Sequence, residues 1–230
     1  MFGMEERWTA VDAYTDARLI GSDPILDEAM QASAAAGLPP IAVTPSQGKL
    51  LFVLAKAIRA TRILEIGTLG GYSGIWLARA LPPHGRLITL EADPQHAQVA
   101  QQNFARAGVS SLVDLRVGDA LEVLSQLAKE TVDPLDFVFI DADKTQYAEY
   151  LEGAVGLCRP GALIVADNIV RRGALVDEMS ADVNVQGVRR FLDRVNADAR
   201  LTATVIQTVG AKGYDGMAVI LVTGRTTGHS

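Results

Sequence analysis

The chain is poor in cysteine, histidine and aromatic residues, and it has no apolar run long enough to cross a bilayer. Its one cysteine, Cys158, excludes an intrachain disulfide framework and fits a reducing compartment, so a cytoplasmic location is expected. Cys158 falls in the helix-like run LEGAVGLCRPG, where a small buried hydrophobe is the ordinary reading. The three histidines, His84, His96 and His229, are scattered and form no zinc-type cluster. Positive charge is in deficit, with a net charge of −6. That opposes a protein gripping nucleic-acid backbones broadly, although Arg171 and Arg172 make a local basic pair. The opening segment MFGMEERWTAVDAYTDARLI carries charges throughout and lacks a signal-type apolar stretch, so neither secretion nor membrane attachment is expected. There is no repeat at fixed period and no low-complexity linker.

What is present is apolar content of 49% in 230 residues, enough for the core of one α/β domain. Residues 1–60 read as an N-terminal helical segment. Stretches 5–20 and 23–36 are amphipathic, Ser22–Pro24 is a start signal, and a third helix is expected with Ser46 as its cap. From Thr61 the pattern changes, and 61–223 reads as the core, with 224–230 a frayed tail. Short β-rich runs (62–67, 85–91, 112–118, 135–141 and 161–167) alternate with helical stretches near 72–81, 94–107, 119–130 and 144–157. Apolar strands separated by helices indicate a parallel sheet wound on both faces. After a helix near 185–198 come LTATVIQTV and MAVILVTG with no helix between them, which predicts a terminal antiparallel pair. The expected fold is α/β, Rossmann-like and doubly wound, with seven strands, mostly parallel.

Ligands of such sheets sit at the carboxyl ends of the strands. The first strand runs into LEIGTLGGYSG, a glycine-rich turn that is not the dinucleotide fingerprint. Glu65 beside the turn would repel a pyrophosphate and suit a ligand with a positive amino group. Glu91, ending the second strand, stands where an acid accepts ribose hydroxyls. Asp119 and Ala120, after the third, are candidates to flank an adenine. Each of these has a plainer reading as a turn or a helix cap. Together they suggest an adenosine ligand without phosphates and with a cationic end, which S-adenosylmethionine satisfies.

Two further runs, FIDADK and IVADNIV, stop abruptly at acidic residues. With RILEIGTLGGYSGIWLARAL and LITLEADPQHAQVAQQNFARAGV, they make residues 40–223 resemble the class I S-adenosylmethionine-dependent methyltransferases. The closest resemblance is to the cation-dependent O-methyltransferases of the caffeoyl-CoA and catechol type. DADK followed one strand later by DN is the specific part. The resemblance implies that Glu65, Gly67, Thr68, Ser73, Glu91, Ala120 and Asp143 contact the cofactor, with Asp119 and Asp141 beside it and Val43 covering it. It implies Asp141, Asp167 and Asn168 as metal ligands, Lys144 as general base, and Arg172 at a substrate position where the plant enzymes carry asparagine. A homodimer is expected on the same ground.

These residue types suit the chemistry. A neutral phenol, with a pKa near ~10, is a poor nucleophile. A divalent cation lowers that pKa and a base takes the proton. Three oxygen donors in an incompletely filled site suit Mg²⁺, or else Mn²⁺ or Ca²⁺. The expected acceptor is a small vicinal dihydroxy-aromatic, whose paired oxygens chelate the ion, and no nucleic-acid partner is expected. The alternative is O-methylation of hydroxylated tRNA bases, disfavoured by the acidic balance and favoured by Arg171, Arg172, Arg189 and Arg190. A nicotinamide oxidoreductase is opposed by the altered glycine turn. A hydrolase is opposed by GYSG, which is not G-x-S-x-G. Tyr147 reads as core or pocket lining and Trp76 as the buried face of its helix. Trp8 reads as either a dimer contact or a cover over the acceptor pocket.

Overall fold

The computed structural model describes residues 3–130 and 133–224. The tail expected at 224–230 lies outside the described residues from 225 onward, His229 included. Three helices lead the chain: α1 (Met4–Leu19), α2 (Pro24–Ala35) and α3 (Pro45–Ala57). The alternating part follows as β1 (Arg62–Ile66), α4 (Tyr72–Ala80), β2 (Arg86–Glu91), α5 (Pro94–Arg106), β3 (Val113–Val117), α6 (Ala120–Leu127), β4 (Leu135–Ile140), α7 (Tyr147–Leu157) and β5 (Cys158–Ala166). It closes with α8 (Val183–Ala197), β6 (Leu201–Gly210) and β7 (Gly213–Val222). The strands form one sheet in the order β3-β2-β1-β4-β5-β7-β6, parallel except where β7 runs antiparallel to β5 and β6. The Rossmann-like topology is therefore the expected one. No helix among the described residues is long and apolar enough to cross a membrane.

The order reverses between β1 and β4, and that switch point opens a crevice at their carboxyl ends. Both central strands are buried on both faces because helices cover each side. One apolar cluster packs α6, α7 and α8 on one face, around Val138, Ile140, Tyr147 and Phe191. The other packs α3, α4 and α5 on the opposite face, around Leu51, Ile75, Phe104 and Phe137. At the end of the sheet away from the crevice, buried Asp136 accepts hydrogen bonds from Thr61 N (2.6 Å), Thr61 Oγ1 (2.9 Å), Arg62 N (2.9 Å) and Arg159 Nε (2.5 Å). Burial pushes its pKa up, but these hydrogen bonds outweigh burial and hold it below the ordinary carboxylate value.

Several expected boundaries move. The cap of α3 is Thr44, not Ser46: its side chain accepts from Gln47 N and Gln47 reaches back to Thr44 N, a reciprocal capping box with Pro45 at the first position. Ser46 instead donates to Asp16 of α1. Cys158 ends α7 and begins β5 rather than lying inside a helix, and burial pushes its thiol up to about 12. Strand β7 starts at Gly213, before the apolar run, because the β6–β7 ladder continues to Gly210↔Gly213. Residues Lys144–Gln146 form a 3₁₀ turn ahead of α7. Trp76 is buried as expected, and Trp8 is half-buried on α1.

Candidate active site

The turn after β1 builds the floor of the crevice. Gly67 has φ 101°, and a Cβ there would stand 2.1 Å from the Asp141 carbonyl, so β1 and β4 meet this closely only with glycine. Leu69 also takes a left-handed φ of 49°, held by its N–H donating to Glu91 Oε2 at 2.7 Å. The other oxygen of Glu91 accepts Asp93 N at 3.0 Å, so this carboxylate fixes the turn and keeps lone pairs for a ligand.

Glu65 is fully buried, and both its oxygens are engaged: Ser73 Oγ and Thr89 Oγ1 each donate at 2.6 Å. Burial raises its pKa to about 7; the two hydroxyl hydrogen bonds oppose that rise, and the nearby charges of Asp141 and Glu91 add to it. A cation arriving above the turn would favour the charged form. Asp119 is exposed and caps α6, accepting from Leu121 N and Glu122 N at 2.9 and 3.1 Å, with Ala120 the first residue of that helix. Asp143 is also exposed and caps the 3₁₀ turn through Thr145 N at 2.9 Å.

Asp141 and Asp167 are brought side by side by register. Ile140 pairs with Ala166, so the next residue on each strand is a carboxylate. Their backbones continue the ladder, Asp141 N donating to Ile66 O at 2.9 Å and Asp167 N to Ile140 O at 3.0 Å. Asp167 is 3% exposed. Burial, then the charge of Asp141, raises its pKa to about 7. Asn168 follows in a left-handed conformation, φ 57°, with its N–H on Asp167 Oδ1 at 2.7 Å. Lys144 Nζ lies 2.7 Å from Asp141 Oδ1 and 5.0 Å from the centre of the Tyr147 ring. Tyr147 is core, and its hydroxyl lies 3.2 Å from the carbonyl oxygens of Ile140 and Asp167, tying the two strand ends together.

Two cavities meet here. The first, about 350 Å³, is lined by Val43, Gly67, Thr68, Ser73, Asp141, Asp143 and Lys144 among others. The second, about 720 Å³, contains Asp167, Arg172, Lys212 and Tyr214. Ile41, Asn168 and Arg171 border both. Glu65, Glu91, Asp119 and Ala120 do not line the first cavity; the two glutamates lie behind its wall, and the other two stand at the end of β3. Trp8 lines neither. Sequence reasoning missed Arg171 and Lys212 as parts of this site. Lys212 sits in the β6–β7 turn, where no motif marks it.

Among the described residues no group of three or more His, Cys, Asp or Glu side chains is arranged to hold a metal. The expected set contains two carboxylates and one amide, all oxygen donors, which fits a hard cation and not zinc. Burial first, and then the neighbouring Asp141, favour the protonated form of Asp167, and a cation arriving between the two carboxylates would favour the ionised one.

The family profile described as O-methyltransferase matches residues 16–221. A catechol O-methyltransferase of Niastella koreensis is 52% identical over 213 residues, covering 93% of this chain and 96% of its own. An O-methyltransferase from Bacillus cereus, solved in complex with SAH, superposes with a TM-score of 0.94 at 50% identity, covering 95% of this chain and 100% of the other. The O-methyltransferase TomG from Streptomyces achromogenes, involved in tomaymycin synthesis and solved with SAM, gives 0.94 at 49% identity, covering 97% and 100%.

Proposed function

Since this chain belongs to the S-adenosylmethionine-dependent O-methyltransferase family, we propose that it methylates one hydroxyl of a small catechol-like acceptor with the aid of a divalent cation. The observation that carries this reading is the register-matched pair Asp141 and Asp167 at the meeting of the two cavities. The catechol O-methyltransferase relative supports the acceptor class.

Val43, Gly67, Thr68, Ser73, Asp141 and Asp143 form the cofactor's wall in the smaller cavity. Glu65 acts on its amino group through the field of a buried carboxylate and through Ser73. Glu91 keeps lone pairs for the ribose hydroxyls, and Asp119 with Ala120 borders the adenine. S-adenosylmethionine, when bound, supplies an electrophilic methyl on a sulfonium. Asp141, Asp167 and Asn168 would hold the cation, Mg²⁺ first, with Mn²⁺ or Ca²⁺ as alternatives. Such an ion, when bound, draws charge from an acceptor hydroxyl and lowers its pKa. Lys144, placed at the site by its contact with Asp141, is the proton acceptor: as the neutral amine, the form that a cation held at Asp141 would favour, its Nζ would take the hydroxyl proton. Arg172 belongs to the wall of the larger cavity, which takes the acceptor. The rest of the rate enhancement is orientation, because donor and acceptor lie in adjoining chambers. A homodimer is proposed on the resemblance and on the exposed Val205, Ile206 and Val209 of edge strand β6; its mass by light scattering tests it.

The decisive experiment is chelation. Stripped enzyme should lose turnover of catechol and regain it with added Mg²⁺. Asp141→Ala and Asp167→Ala should abolish turnover and metal binding by calorimetry while still binding S-adenosylhomocysteine. Full activity after exhaustive chelation would remove the cation from the mechanism.

A further inference from the structure

The wall of the larger cavity carries three cations beside four carboxylates, Asp12, Asp167, Asp182 and Asp215, yet the cations are not ion-paired with them. Besides Asp167 and Asn168, its wall carries Arg171, Arg172 and Lys212. Among the described residues, none of the three has a carboxylate within salt-bridge distance. The other carboxylates on that wall are engaged with backbone. Asp12 accepts Ala211 N at 2.7 Å, and Asp182 caps α8 through Asn184 N at 2.8 Å. One oxygen of Asp215 accepts Val170 N, Arg171 N and Gly216 N at 3.0, 2.9 and 2.9 Å.

Arg171 is the sharpest case. Its Nε is buried and has no hydrogen-bond partner. A buried guanidinium donor left unpaired is costly, and native structures nearly always satisfy such a group. The backbone that places it is also unusual: Arg171 and Arg172 are consecutive left-handed residues, φ 54° and 57°, and Asp215 holds the segment there. Arg189 offers the contrast, since its guanidinium is spent on the Leu175 carbonyl at 3.0 and 2.9 Å. Lys212, from the β6–β7 turn, donates to the Ala42 carbonyl and brings a second charge to the same wall.

We propose that the acceptor is an ortho-dihydroxy aromatic bearing a carboxylate, and that Arg171, aided by Lys212 and Arg172, grips that carboxylate while the hydroxyls face Asp167 and Asn168. This rests on the catechol reading of the same cavity. A guanidinium offers two parallel donors that match a carboxylate. A cavity of about 720 Å³ admits a substituted ring, within the usual size of small-molecule sites. A phosphate at the end of a long coenzyme arm would need cations outside the cavity, whereas the Arg171 donor is buried.

The test uses the full chain with S-adenosylmethionine and Mg²⁺. It compares kcat/KM for protocatechuate, its methyl ester, catechol, and a dihydroxycinnamoyl coenzyme A thioester. The free acid should exceed its ester by at least about tenfold, the size of one charge-assisted hydrogen bond. Arg171→Met should collapse that ratio toward one, and Lys212→Met should reduce it. Calorimetry of protocatechuate with the S-adenosylhomocysteine complex should show the same loss independently of turnover. Catechol turned over with acid and ester equal would overturn this inference and leave the proposed function standing, as would a thioester preferred over the acid. An acid preference unaltered in Arg171→Met would overturn the assignment to Arg171. No methylation of any ortho-dihydroxy compound would bring down the proposed function and this inference with it.

Discussion

Replacing Glu65 with glutamine should change how the protein responds to pH in two measurable ways. The side chain is fully buried and its pKa stands at about 7, against 4.5 for the ordinary group. A carboxyl whose folded pKa is raised binds its proton more tightly in the native state. Native stability therefore falls as pH rises from about 4.5 to about 7, by roughly 3 kcal/mol in all, and is level above. Glutamine lacks this dependence. It can be accommodated, because the hydrogen bond of 2.5 Å between the Thr68 and Thr89 hydroxyls can run in either direction, so the Thr89 hydroxyl can turn to receive the new amide. Urea unfolding near pH 5 and pH 8 should show the variant gaining on the wild type by about that amount. The second effect is on the cofactor. Its α-amino group stays protonated below about pH 7.7. If that cation favours the ionised Glu65, binding expels a proton, and the Kd for S-adenosylhomocysteine should fall about fivefold between pH 6 and pH 7. Titration calorimetry in two buffers of different ionisation enthalpy reads both the slope and the released proton. Equal slopes in wild type and Glu65→Gln would refute the idea that this carboxylate senses the cofactor.

Lys144→Met should lower kcat by about a hundredfold or more with little change in cofactor affinity, as expected of a proton acceptor; retained kcat would strip the lysine of that role. Gly67→Ala should cost roughly 2–4 kcal/mol, because its Cβ would collide with the Asp141 carbonyl at a φ of 101°. Calorimetry would register this as a Tm lower by several degrees. Asp136→Ala should cost about 3 kcal/mol near neutrality, leaving Thr61 and Arg62 amides without their acceptor. Because the Asp136 pKa lies below 3.8, its stabilisation is present above that value and disappears as pH falls further. The difference between variant and wild type in chemical unfolding should therefore shrink in strong acid.

The sheet was legible because its signal is local. Runs such as RILEI and LDFVFI are apolar throughout because both faces are covered, and their spacing by helices leaves one economical topology. The antiparallel end was legible because no helix separates β6 from β7. The errors fall where two local signals compete. Thr44 and Ser46 are both capping types, and Pro45 between them decides in favour of Thr44, since proline suits the first helical position. Cys158 continues a helical pattern by hydropathy, but β5 begins there because Leu135 pairs with Cys158 ahead of a register shift. The acidic strand ends could be seen in the sequence and were expected together on the strength of the family resemblance; the register of β4 against β5 supplies the physical reason. Arg171 was visible only as half of a basic pair, and its meeting with Lys212 was not: forty residues of chain lie between them, and only the packed hairpin returns one to the other.

The two chambers draw on different lengths of chain. The donor side comes mostly from the turns after β1 and β4, and the acceptor side from the start of α3 and the segment before it, the 168–172 segment and the β6–β7 hairpin. Changes of hairpin residue can thus retailor what is alkylated without disturbing how the alkyl group is delivered. Descendants of one such gene can diversify their chemistry of recognition while inheriting a frozen engine, and a change at Ile41, Asn168 or Arg171, which border both rooms, is felt on either side.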